Sequence, residues 1–347
     1  MSARPHSVPP AARPSETGRA GLGAHDPRRG RPHEAVYAAL DLGTNNCRML
    51  MAAPADDGFR VVESFSRIVR LGEGLHDSGR LCPAAMDRAI GALSACAARL
   101  SHRRLAGFRA IATEACRRAA NGAEFLDRVR AETGIAVKVI TPREEAELAL
   151  ESCAPLLADG GRRALVFDIG GGSTELAWVR LCGEAPALIG YISMPVGVVT
   201  LAEQFGPARF TAEGYAAMRE EVAARLTGFE RIHCIGREIA MGGVTLLGTS
   251  GTVTTLAGIA LKLARYSRPL VDGAVLDIDQ ARSALAALRA LGRDGLAAHP
   301  CIGPERVDFV LPGCAAFEAI LEQWPASRIV VADRGLREGM LMRLIRA

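Results

Sequence analysis

The sequence predicts an α/β protein built twice over, as two similar halves facing each other across a cleft. Two segments carry the same device, an apolar strand ending in Asp-x-Gly with Thr or Ser close behind. They are Asp41-Leu42-Gly43-Thr44-Asn45-Asn46 and Asp168-Ile169-Gly170-Gly171-Gly172-Ser173-Thr174-Glu175. Around each, strand patterns give way to helical ones, as a duplicated βββαβα unit requires. The length of 347 residues suffices for two domains with substantial cores.

The elements follow in order. Residues 36–40 and 47–53 are apolar runs, and 59–69 alternates loosely, with a turn signal at Asp56-Asp57-Gly58. This reads as three antiparallel strands. Residues 83–100 repeat apolar side chains at helical spacing behind Pro83, a residue suited to a first turn. A short strand is expected over 108–112, a helix over 123–133 closed by Gly134, a strand over 135–140 and a helix over 144–157. Asp159-Gly160-Gly161 breaks the pattern. Strands are then expected over 164–167, 176–179 and 187–194, and a helix over 213–227. A glycine-rich loop, 247–252, precedes a further helix over 253–263.

Composition narrows the function classes. Nearly half of the residues are hydrophobic and about a quarter charged, an ordinary globular balance. The formal net charge of +4 is too small to argue for nucleic acid as a partner. No apolar run reaches the ~18 residues of a membrane span. Residues 1–34 are rich in Arg, Pro, Gly and Ala, lack an apolar signal region, and read as a disordered basic tail. The nine cysteines form no CxxC pair, which argues against zinc, and their odd number and the lack of a signal fit a reducing, cytoplasmic compartment.

The two Asp-Gly turns suggest phosphate chemistry. Glycines let backbone N–H groups approach a ligand, and successive N–H groups make an anion-binding concavity. Gly43, Thr44 and Asn45 form one such cradle, and Gly170, Gly171, Gly172, Ser173 and Thr174 the other. Ser250, Gly251 and Thr252, at a helix start, offer a third. Asp41 and Asp168 end their strands beside these cradles, with Glu175 close by. Carboxylates there would repel phosphate unless a cation lay between, and Mg²⁺ (or Mn²⁺) accepts carboxylates, water and phosphate oxygens together. Asp41, Asp168 and Glu175 are therefore the candidate metal residues.

Together these segments closely resemble the exopolyphosphatase / guanosine pentaphosphate phosphohydrolase family of the sugar kinase–actin superfamily. Further matches are the run from Ala112 to Asn121, Arg143-Glu144-Glu145-Ala146-Glu147-Leu148, Gly248 to Leu256, Leu311-Pro312-Gly313 and Asp333-Arg334-Gly335-Leu336-Arg337-Glu338-Gly339. The resemblance implies duplicated actin-like (ribonuclease H-like) domains. Domain I would span 35–158, completed by a C-terminal helix over 333–347, and domain II would span 159–332. It implies Glu145 as the general base that activates water, with Glu144 less suited, and Arg117 as a contact to substrate phosphate. The motifs end near residue 346, so the chain resembles the short, two-domain form. The expected reaction is Mg²⁺-dependent release of orthophosphate from the end of inorganic polyphosphate. The alternatives are the same cut on guanosine pentaphosphate, and a non-enzymatic sensor of either molecule. A homodimer is left open.

Overall fold

The computed structural model describes residues 35–347 apart from 57, 159–160 and 183–184. The predicted basic tail, and Asp57, Asp159 and Gly160 of two predicted turns, lie outside the described residues.

Two mixed sheets organise the chain. The first holds β1 (Val36–Leu42), β2 (Asn46–Ala55), β3 (Gly58–Ile68), β4 (Leu105–Ala112) and β5 (Lys138–Val139), in the order β3-β2-β1-β4-β5. The second holds β6 (Arg163–Ile169), β7 (Thr174–Arg180), β8 (Ala187–Met194), β9 (Val244–Thr249), β10 (Val275–Asp277) and β11 (Arg328–Ala332), in the order β10-β11-β9-β6-β7-β8. Read from its β8 edge, the second sheet repeats the first and adds β10. In each, a three-stranded antiparallel meander leads into strands parallel to its first member: β4 beside β1, and β9 beside β6. This is the duplicated α/β arrangement of the actin-like class.

The expected meander, the helix Pro83–Ser101 and the helix Gly122–Thr133 closed by Gly134 are all present. Two expectations need correction. The helix expected over 144–157 runs Pro142–Cys153 and then tightens into a 3₁₀ turn, Ala154–Leu157. Pro155 lacks the N–H that an α-helix would use there. The strand expected over 135–140 pairs with β4 only at Lys138–Val139.

Each sheet has its own core. Leu40, Met49, Leu93 and Phe125 fill the first, and Phe167, Trp178, Phe317 and Trp324 the second. Smaller apolar clusters join the helix Pro142–Cys153 to both. Its Leu148 packs with Ala39, Leu50, Met340 and Leu341, and its Ala146, Leu150 and Cys153 pack on Val166 and Ala177. The C-terminal helix Leu336–Arg346 thus lies against the first sheet. At Gly339 an added methyl would sit 2.2 Å from the Leu148 carbonyl oxygen, so only glycine permits this approach. Arg343 fastens the same pair with a two-pronged bond to Glu151, at 2.8 and 2.6 Å.

Candidate active site

Both Asp-Gly turns are tight. Gly43 N donates to Asn46 O at 2.9 Å, and Gly170 N donates to Ser173 O at 2.9 Å. The turns face each other. A methyl on Gly172 would lie 2.6 Å from Thr44 Oγ1, and one on Gly171 would lie 3.2 Å from Thr44 Cβ. The second turn is held from behind by the helix Val198–Phe205, whose Val198 and Val199 amides donate to the Gly170 and Gly171 carbonyls at 3.0 and 2.8 Å. The N–H groups of Thr44, Asn45, Gly171 and Gly172 have no hydrogen-bond partner among the described residues. With carbonyls tied back and amides free, the pair of turns has the polarity of an anion cradle. Beside it, Thr44, Gly172, Glu114 and Arg118 help line a cavity of about 10 Å³, enough for about one water.

Two carboxylates stand at the strand ends. The hairpin register sets Asp41 opposite Arg48, and Asp168 opposite Glu175. Asp41 Oδ1 and Asn45 Oδ1 are buried without a hydrogen bond. Burial pushes the Asp41 carboxyl up, against the pull of Arg48 and Arg337. Burial raises Asp168 to about 6, opposed by Arg48. Glu175 rises to about 7, through burial and then through Asp168, although Ser173 and Ser193 donate hydroxyls to it at 2.5 and 2.8 Å. Several desolvated acids in one place, one with an orphaned oxygen, form a donor set that suits a hard cation. Among the described residues no three His, Cys, Asp or Glu side chains converge closely enough to hold a metal alone. Mg²⁺ usually takes only one or two carboxylates and completes its shell with water and phosphate oxygens.

The third group comes from a helix start. Thr141 caps the helix Pro142–Cys153 by accepting from Glu144 N at 3.2 Å, with Pro142 in the first turn. This places Glu144 and Glu145 on neighbouring but different faces. Glu144 pairs with Arg109 and lies 3.9 Å from Lys138. Glu145 is buried, 8% exposed, and meets Arg117 Nη1 at 3.2 Å. Arg117 is itself fixed by Ile140 O at 2.9 Å and Glu114 at 2.8 Å. Burial raises the Glu145 carboxyl well above its ordinary range. The charge of Glu175 adds to this, and Arg117 opposes it. A buried carboxyl with a raised pKa beside an anion cradle has the character of a proton acceptor.

The remaining predicted residues divide. Thr174 is fully buried and donates to Val196 O at 2.7 Å, so its hydroxyl ties strand to loop. Ser250 stands at the N-terminus of the helix Gly251–Ala260 with φ 105° and a buried, unpartnered Oγ. Thr252 packs against Gly313, where a methyl would sit 2.3 Å from its Oγ1.

Sequence reasoning missed Arg48. Its guanidinium is buried, its pKa is lowered by that burial and by Arg337, and it feels Asp41 and Asp168 together. It has no hydrogen bond or ion pair within reach among the described residues. The hairpin register was the signal available, since a three-residue turn after Leu42 returns position 48 beside Asp41. Glu114 and Arg337 lie within the matched motifs, where the resemblance assigns them no role.

This fold and its paired turns define a protein of the actin-like class with an anion cradle, and the sequence comparisons make the assignment specific. A model of the Ppx/GppA phosphatase family matches residues 50–347, and the chain belongs to that family. A guanosine-5'-triphosphate,3'-diphosphate pyrophosphatase of Aeromonas hydrophila is 32% identical over 311 residues, 89% of this chain and 59% of that protein. The chain therefore spans little more than half of that relative's length. The crystal structure of the Aquifex aeolicus Ppx/GppA family member is 29% identical, with a TM-score of 0.75 over 90% of this chain and 98% of that one. An exopolyphosphatase-like protein of known structure superposes with a TM-score of 0.81 at 27% identity, over 91% of this chain and all of the other.

Proposed function

We propose that the chain is an exopolyphosphatase, hydrolysing the terminal phosphate of inorganic polyphosphate with a divalent cation, Mg²⁺ or Mn²⁺. The observation that carries this reading is Glu145, buried, held by Arg117 and electrostatically coupled to Glu175 and Asp41 at the two Asp-Gly turns. Phosphoryl transfer needs an in-line nucleophile and neutralised oxygens, with little covalent work from the protein. The free amides of Thr44, Asn45, Gly171 and Gly172 bind and orient phosphate oxygens. Asp41, Asp168 and Glu175 would hold the cation, which supplies charge neutralisation when bound. Glu145 accepts a proton from water as its oxygen bonds to the terminal phosphorus. The bridging P–O bond breaks, orthophosphate leaves, and the shortened chain keeps the bridging oxygen. Arg117 opposes the upward push on the Glu145 pKa and so keeps more of the carboxyl in the base form.

The same cut on guanosine pentaphosphate is a second reading, favoured by the name of the Aeromonas relative. A sensor that only binds has no need of a tuned proton acceptor beside its cradle, so Glu145 weighs against that third reading. The test is phosphate release by the purified chain with Mg²⁺, then EDTA, then restored Mg²⁺. Polyphosphates of defined length and guanosine pentaphosphate are compared at equal terminal phosphate. Cation-dependent release from polyphosphate is expected. Full activity after metal removal would reject the roles of Asp41, Asp168 and Glu175. Tight binding without release would return the sensor.

A further inference from the structure

The two cradles belong to different halves of the chain, and one hydrogen bond ties their supports together. Gly74 N donates to Glu203 Oε1 at 2.9 Å, across 129 positions of sequence. Gly74 opens the short helix Leu75–Ser78, whose Leu75 sits in the first core. Glu203 is half-buried on the helix Val198–Phe205, whose Leu201 sits in the second. Around the two turns, among the described residues, this is the one hydrogen bond that passes directly from the first half to the second. Each end of it is attached to a cradle. On the first side, Gly72 N donates to Thr44 O at 2.9 Å, and Val69 N and Arg70 N donate to Asn45 O at 2.9 and 3.1 Å. On the second, the Val198 and Val199 amides hold the Gly170 and Gly171 carbonyls. The bond therefore closes a ring of first turn, segment 69–74, Glu203, helix and second turn. Leu75, His76 and Thr200 line the small cavity that Thr44 and Gly172 share, so the two helices meet beside the turns themselves.

Both partners are specialised for this contact. Glu203 has no ion-pair partner among the described residues, and its carboxylate goes to a backbone N–H instead. A hydrogen bond from N–H to a carboxylate is roughly twice as strong as a neutral one. Burial raises the Glu203 carboxyl, and the Gly74 N–H opposes that rise, as a donor to the charged form does. Gly74 is held at φ 68°, in the left-handed region that glycine enters without strain. A methyl there would meet nothing within 4 Å. Space does not demand the glycine; the backbone turn that presents its N–H does.

We propose that Glu203 is a positioning residue, which by clasping Gly74 fixes the spacing of the two cradles before substrate arrives, so that a phosphate chain meets both sets of free amides at once. The positioning role rests on the phosphohydrolase reading above; the clasp itself does not. Without the clasp, substrate must hold the two halves in place with its own binding energy, and preorganisation is lost. That loss falls on KM and leaves turnover at saturation largely intact.

The test uses the full chain, its Glu203→Ala and Glu203→Gln variants, and Gln204→Ala, an exposed neighbour, as control. Two readouts are taken: hydrogen exchange of the Gly74 amide without substrate, and phosphate release from tripolyphosphate with Mg²⁺. Glu203→Ala should quicken Gly74 exchange about tenfold and raise KM about tenfold, with kcat within about twofold, as loss of one charge-assisted hydrogen bond gives. Glu203→Gln keeps an acceptor oxygen at the same reach and should recover most of both. Gln204→Ala should change neither. Unchanged Gly74 exchange in Glu203→Ala would mean that the clasp is not formed in solution and would overturn the proposal. Loss of kcat and of melting temperature with KM unmoved would show a merely structural role and overturn it too. A Gln variant no better than the Ala variant would assign the effect to the charge of Glu203 and not to the bond. Faster Gly74 exchange in Glu203→Ala, with no phosphate release by the unaltered chain, would establish the clasp, reject the phosphohydrolase reading and with it the positioning role.

Discussion

Glu145 carries two opposed pressures. Burial and Glu175 favour its protonated form, while Arg117 favours the carboxylate. Because the folded pKa is raised, the base form fills only as pH climbs through that raised value. The acid limb of kcat/KM should therefore lie above the ordinary carboxylate range. Arg117→Ala removes the opposing charge, so the limb should move to still higher pH, and a pH–rate profile reads the shift. An unmoved limb would dissociate Arg117 from Glu145. Glu145→Gln should leave substrate binding within a few-fold and lower kcat by about 10²–10⁴, the usual worth of a positioned general base. Equilibrium binding and single-turnover release separate the two effects, and a variant that turns over normally at saturation removes Glu145 from the chemistry. Glu144→Gln is the control. Its carboxylate is spent on Arg109, so turnover should change little.

At the scale of elements, the glycine turn and the helix behind it act as one piece. A methyl at Gly197 would lie 2.5 Å from Gly171 O and 2.6 Å from Gly170 O, both backbone atoms that cannot swing aside. Gly197→Ala should push the turn out of register with the free amides. It should raise KM at least several-fold and cost about 1–3 kcal/mol of stability, as overpacking does. Wild-type KM with only a stability loss would show that the helix supports the fold and not the cradle. The turns themselves were legible because their grammar is local. Asp, Gly and a hydroxyl within a few residues specify a hairpin and its donors whatever the rest of the chain does. Other parts depend on distant residues. Arg48 matters through the register of β1 against β2, and the pairing that occupies Glu144 depends on Arg109 arriving from β4. The segment Leu311-Pro312-Gly313 reads locally as a helix breaker, yet it lies inside the helix Val307–Gln323. There Pro312 is buried, and Gly313 admits Thr252 at close range. Packing overrides local propensity at that point.

Across the whole molecule, the duplication brings the strand-end acids Asp41 and Asp168 into one interior, with Glu175 opposite Asp168, and that has a thermodynamic consequence. Asp168 is raised to about 6 and Glu175 to about 7, from ordinary values of 3.8 and 4.5. An acid whose folded pKa exceeds its unfolded value binds its proton more tightly when folded. Its cost to stability is therefore absent below the ordinary values, grows as pH rises through 6 and 7, and is complete above. Without divalent cation, the chain should melt at lower temperature at pH 8 than at pH 5.5 on account of these groups. A cation that binds the ionised acids in the folded state alone reverses the cost by mass action. Adding Mg²⁺ at pH 8 should raise the melting temperature by about 1–2 °C for each ~1 kcal/mol of binding, and by less at pH 5.5, where protons already occupy the acids. Asp168→Asn should flatten the metal-free pH profile and weaken the Mg²⁺ response together. A variant that keeps both would mean that Asp168 and Glu175 neither share a cation nor control the pH dependence of the fold.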